Sequence, residues 1–150
     1  MRDYSEFVQF IIEKTGLRKP LLVEKDVLLH TLLHRLTRDA EFGEGYLFKG
    51  GSCLVKCYFG YYRFSVDLDF TYLMQERWEG LSRSERRREL VSEAERLTRL
   101  IEDASRGLGL EFTADVRDRR FVEFGSGLGS LAPRDPGGWQ GLPEVPLLLR

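Results

Sequence analysis

The chain has 150 residues, 42% of them hydrophobic and 31% charged, with a formal net charge of −1. That length and composition predict one soluble globular domain with its own core, and no run approaches the ~18 apolar residues of a membrane span. The near-neutral charge excludes a polycationic nucleic-acid binder but not a local basic groove. The two cysteines, Cys53 and Cys57, exclude a disulfide scaffold and point to a reducing, cytoplasmic setting. The opening MRDYSEF carries acids at Asp3 and Glu6 and no apolar segment, so no secretory signal is expected.

The first helix is expected over Asp3 to Lys14. Asp3 and Glu6 have capping-box spacing, Phe7, Phe10 and Ile11 form an apolar face, and Thr15-Gly16 ends it. A longer helix is expected from Pro20 to Arg38, with proline in the first turn and a stripe of Leu22, Leu29, Leu33 and Leu36. Glu24, Lys25 and Asp26 lie a turn or more inside it. Tyr46-Leu47-Phe48 reads as a strand that stops at the Gly50-Gly51 turn. Ser52 then opens a short helix, Cys53 to Tyr58, broken at Gly60. Tyr61 to Ser65 reads as a loop, and Val66 to Leu73 alternates as a strand.

Leu81 to Arg106 is the clearest helix. Ser82 and Glu85 have capping-box spacing, and Leu90, Ala94, Leu97, Ile101 and Ala104 mark its buried face. Leu110 to Val116 (LEFTADV) and Phe121 to Phe124 read as further strands. From Gly125 onward neither period appears. Those last 26 residues hold six of the 15 glycines and four of the five prolines, which predicts an irregular tail over 125–150 behind a domain over 1–124. The element order makes an α+β or α/β domain with a small mixed sheet flanked by helices.

The chemistry concentrates in Phe48 to Phe70. On a strand, Asp67 and Asp69 project to one face while Leu68 and Phe70 face the core. Two convergent carboxylates repel unless a cation lies between them, and Mg²⁺ (or Mn²⁺) is the expected ion. Taken alone, the pair also suits a solvated strand face. Gly50-Gly51-Ser52 lets backbone approach a ligand closely and presents free N–H groups at a helix start, a site for phosphate. Taken alone, it also suits a tight turn with a capping serine. Together, a phosphate cradle on one strand and a carboxylate pair on the next are the equipment of phosphoryl or nucleotidyl transfer.

This stretch resembles the nucleotidyltransferase superfamily signature, in which Gly-Ser and a short helix precede Asp-x-Asp. More narrowly it resembles the AbiEii/AbiGii toxin family, through VEKDVLLHTLLHRL, LFKGGSCLVKCY and RFSVDLDF. The resemblance implies that Gly51 and Ser52 contact phosphate beside Gly50, that Asp67 and Asp69 bind metal, that Lys49, before the glycines as is usual in the family, is a phosphate-binding candidate, and that Arg63 steers phosphates or pairs with an acid. Val66 stands where the family often has an acid. Such enzymes need a third carboxylate on a later strand, for which Asp115 is the first choice and Glu123 the second. Family members are usually longer, so the chain reads as a truncated one.

Other groups read as structure. His30 and His34 read as helix-surface residues, Cys53 and Cys57 as small buried ones. Arg83, Arg86, Arg87 and Arg88, interleaved with Glu85 and Glu89, read as a solvated helix face. Most of Tyr58, Phe59, Tyr61, Tyr62 and Phe64 are expected in the core. The leading expectation is a Mg²⁺-dependent enzyme that moves a nucleoside monophosphate from an NTP to an RNA (such as tRNA) or protein hydroxyl. The resemblance implies a toxin–antitoxin or phage-defence setting, with a cognate antitoxin as partner and no membrane. The second is a module of the same fold that binds nucleotide, RNA or antitoxin without turnover. A sugar-nucleotide glycosyltransferase using Asp-x-Asp fits less well, because the Gly-Gly-Ser turn precedes the pair.

Overall fold

The computed structural model describes residues 4–59, 64, 67–118, 120–123, 129–131 and 147–149. Helix α1 (Ser5–Thr15) starts behind Tyr4 with no side-chain cap and ends at Gly16, whose φ of 70° is left-handed. The capping role expected of Asp3 lies outside the described residues. The buried residue of α1 is Val8, whereas Phe7 and Phe10 are more than half exposed. Helix α2 (Pro20–Leu36) carries proline at its start and buries Val23, Leu29, Leu32 and Leu36 almost completely. A short helix α3 (Ala40–Gly45), which no apolar period announces, is capped by Asp39, whose carboxylate accepts the Phe42 N–H at 3.0 Å.

Strand β1 (Tyr46–Lys49) leads into α4 (Gly50–Cys53), which widens into a π-helical turn over Leu54–Phe59. The helix thus begins at Gly50, three residues before the start expected at Cys53. Strand β2 (Leu68–Tyr72) follows, then a 3₁₀ turn over Gln75–Trp78 and the long helix α5 (Arg83–Arg106). Strands β3 (Val122–Glu123), β4 (Gly129–Leu131) and β5 (Leu147–Leu149) are short.

The five strands form one sheet in the order β1-β2-β5-β4-β3. Only β2–β5 is parallel; β1–β2, β4–β5 and β3–β4 are antiparallel. The α+β class with a small mixed sheet and flanking helices is therefore observed. Within 125–150, expected to be irregular throughout, two segments instead pair in the sheet. Three-residue strands are too short to show a period, so their pairing is set by the strands beside them.

The strand expected over Leu110 to Val116 does not form. Leu110 and Phe112 are buried while Glu111, Thr113 and Asp115 are exposed, so the alternation reports burial; its pairing is limited to an isolated bridge at Glu111. The backbone is bonded otherwise: Ala114 N–H donates to Glu102 Oε1 at 3.2 Å, Asp115 N–H to the Thr113 carbonyl at 2.8 Å, and Asp118 N–H to the Asp115 carbonyl at 3.0 Å.

One face of the β1–β2 hairpin packs into the core formed with α2 and α5. Leu68, Phe70 and Tyr72 supply it from β2. Phe70 meets Phe42 edge-on at 5.0 Å and Phe48 at 5.5 Å; Tyr72 stacks on Trp78 at 5.0 Å. Each such pair adds roughly 0.5–1.5 kcal/mol beyond the area it buries. The opposite face carries Leu47, Lys49, Asp69 and Thr71. No helix among the described residues is long and apolar enough to cross a membrane.

Candidate active site

Strand alternation positions the carboxylates. Burial alternates from Asp67 to Tyr72, with Leu68, Phe70 and Tyr72 buried and Asp67, Asp69 and Thr71 half-buried between them. Asp67 immediately precedes β2, two residues before Asp69 and with the buried Leu68 between them. Directly across the antiparallel pair, Lys49 is the partner of Asp69. Opposed residues on one face hold their Cβ atoms about 4.5–5.5 Å apart, so the Lys49 stem starts beside the Asp69 carboxylate.

The next residue makes that proximity closer still. Gly50 has φ 76°, and a methyl group built on it would lie 2.9 Å from Asp69 Cγ and closer yet to Oδ2. Glycine is required here twice over: for its left-handed backbone and for the space the carboxylate fills. Ser52 is completely buried, and its hydroxyl donates to the backbone carbonyl of Asp67. The hydroxyl therefore ties α4 to the start of β2 and does not cap the helix.

Lys49, Gly50, Ser52, Asp67 and Asp69 thus come together at one end of the β1–β2 pair. This is an oxygen-donor pair beside a close backbone approach. A model of the AbiEii nucleotidyl transferase toxin family, of type IV toxin–antitoxin systems, matches residues 31–136. The chain belongs to that family. No curated protein and no solved structure matches the chain. The span matched in this AbiEii-family chain begins inside α2 and takes in Lys49 to Asp69 and all of α5.

The remaining expected residues fall elsewhere. Arg63 and Val66 lie outside the described residues. Asp115 is in the exposed loop after α5, where its carboxylate accepts the Arg117 N–H at 2.9 Å. Glu123 shares a cross-sheet row with Asp69, through Ser130 and Leu148. Three strand spacings separate it from Asp69, about 14 Å. The position beside Asp69 on β5 is Leu148. Among the described residues no third His, Cys, Asp or Glu completes a group that could hold a metal.

The aromatic cluster is not the core expected of it: Tyr58 and Phe59 are 74% and 66% exposed, Tyr61 and Tyr62 lie outside the described residues, and Phe64 is half-buried. Cys53 is half-buried and Cys57 exposed, against the expectation of burial for both. Burial, and secondarily Cys57, raises the Cys53 thiol pKa.

Sequence reasoning passed over one buried ion pair. Lys56 Nζ lies 2.7 Å from Asp26 Oδ1, with side chains 4% and 7% exposed. The signal was present: Asp26 falls on the stripe of Val23 and Leu29, where an acid has no place unless it is paired. One turn along, His30 has its pKa lowered, chiefly by burial and next by the Lys56 charge. Asp26 and His30 also border a cavity of about 870 Å³ between α1 and α2, walled by Tyr4, Phe7, Ile11 and Val27 among others.

Proposed function

We propose that the chain is a metal-dependent nucleotidyltransferase that moves a nucleoside monophosphate from an NTP to an RNA or protein hydroxyl. The observation that carries this reading is the seating of the Asp69 carboxylate against Gly50, opposite Lys49. The donor chemistry fits Mg²⁺ or Mn²⁺: carboxylate oxygens, and a cradle that any side chain at position 50 would fill. Asp67 and Asp69 would hold the ion. Bound there, it would supply Lewis acidity to phosphate oxygens.

The protein's own residues do the rest. Gly50 and Gly51 let backbone N–H groups approach the triphosphate, and the Lys49 ammonium balances its charge. Ser52 fixes the spacing between this turn and Asp67. Arg63 enters the reading from the sequence alone, as a further phosphate contact. The setting is a toxin–antitoxin pair in the cytoplasm, with a cognate antitoxin as counterpart and phage defence as the use.

A second reading has its own observation. With no third carboxylate joined to the pair among the described residues, the chain would bind nucleotide without turnover. Incubation with α-³²P-labelled NTPs, Mn²⁺ and total RNA or cell protein separates the two. Labelled acceptor that disappears with Asp69→Asn supports transfer. Nucleotide binding that Asp69→Asn weakens, without labelled acceptor, supports the second reading. Equal Mn²⁺ and nucleotide binding by wild type and Asp69→Asn would defeat both.

A further inference from the structure

The helix that carries the glycine turn is held at two polar points. Ser52 and Lys56 are one turn apart on the same side of the α4–π segment. Ser52 reaches the Asp67 carbonyl, and Lys56 reaches Asp26 of α2. Val55, between Ser52 and Lys56 in sequence, is 1% exposed. The segment is otherwise ill-suited to hold its own position. It opens with two glycines, which favour disorder, and then leaves α-helical for π-helical geometry, with Leu54, Cys57, Tyr58 and Phe59 outside the core.

Apolar contacts alone would let such a segment slide or rotate at little cost. A buried ion pair has one good geometry, and an apolar pair of the same volume is commonly as stabilising or more so. Its value lies in fixing register. Here the register matters by fractions of an ångström, because Gly50 at the head of the segment touches the Asp69 carboxylate. We propose that Asp26 and Lys56 are positioning residues: their ion pair clamps the α4–π segment to α2 and so sets the Gly50 turn against Asp67 and Asp69. The consequence for nucleotide rests on the nucleotidyl-transfer reading; the clamp itself does not.

The test uses the full chain with Lys56→Met, Asp26→Asn and the double variant Asp26→Asn/Lys56→Met. The first readout is amide hydrogen exchange, residue by residue. The expected result is at least tenfold faster exchange at residues 54–59, with Leu97 and Ile101 of α5 unchanged. The double variant should loosen 54–59 as the singles do while regaining overall stability that each single loses, since it leaves no buried charge unpaired. Faster exchange spread evenly over α2, α5 and the sheet would overturn the proposal, because the pair would then be ordinary stabilisation. Asp26→Asn keeps the shape and an acceptor oxygen, so it stays readable where Lys56→Met fails to fold.

The second readout is Mn²⁺·NTP affinity, expected to fall about tenfold in each single variant. Selective loosening of 54–59 with unaltered affinity would overturn the link to the carboxylates. A wild-type chain that binds no Mn²⁺·NTP would defeat the nucleotidyl-transfer reading instead, and the exchange pattern would still decide the clamp.

Discussion

At Gly50 the backbone conformation and the neighbouring Asp69 carboxylate impose the same demand. At φ 76° an alanine pays roughly 1–2 kcal/mol for its backbone alone. Its methyl group would also meet Asp69 Cγ at 2.9 Å. Gly50→Ala is therefore expected to lower the urea midpoint and to weaken Mn²⁺ binding by more than that stability loss explains. Equilibrium unfolding and a Mn²⁺ titration on the same sample check it. His30 gives a pH signature. Burial, then the Lys56 charge, holds its folded pKa below the ordinary 6.5. The unfolded chain thus takes up that proton first, and stability drops as pH falls through about 6.5, levelling off below the folded value. A His30→Gln variant should show a flatter dependence of Tm between pH 7.5 and 6. At this scale the carboxylates and Gly50 were legible because period-2 alternation and paired glycines are local signals. The partners of Ser52 and Asp26 were not, since each lies across a tertiary contact.

Helix α5 is the element whose sequence and structure agree most fully. Ser82 accepts the Glu85 N–H at 3.3 Å, and the Glu85 carboxylate accepts the Ser82 N–H at 2.9 Å, the reciprocal pair read from their spacing. The Ser82 contacts hold the Glu85 carboxyl below its usual range. Ser82→Ala should cost about 1 kcal/mol of stability, measured by denaturant unfolding at pH 7. The difference between wild type and variant should shrink as pH falls through the lowered Glu85 value. The other elements are less legible in the sequence, each for a physical reason. LEFTADV alternates because it lies on the core, yet beyond a single bridge at Glu111 its Ala114 and Asp115 N–H groups go to Glu102 and a local turn. α3 is too short for a helical period and depends on Asp39 and on Phe42 entering the core. The π-helical turn over Leu54–Phe59 has no local signal that a spacing rule encodes.

The whole molecule is closed by residues distant in sequence. β5 lies between β2 and β4, so the pairing that joins β3 and β4 to the carboxylate-bearing strand passes through Leu147–Leu149. Removal of residues 147–150 should lower Tm by roughly 10 °C, the shift that ~3 kcal/mol produces at this size. Thermal unfolding followed by circular dichroism checks it. The glycine- and proline-rich composition of 125–150 concealed these strands: a triplet of leucines has no period, and its place in a sheet is visible only once β2 and β4 are there to pair with it.

That topology also sets an order of assembly. β1, α4 and β2 are neighbours along the chain and join through short loop closures, whereas β5 arrives after about half the chain has intervened. Until then the far edge of β2, the strand that holds Asp69, offers unpaired N–H and C=O groups with an apolar face behind them. Such an edge is a template for any extended segment that reaches it first. A chain interrupted between β2 and β5 would carry both candidate carboxylates on an open edge, and self-association through that edge competes directly with the pairing that completes the sheet.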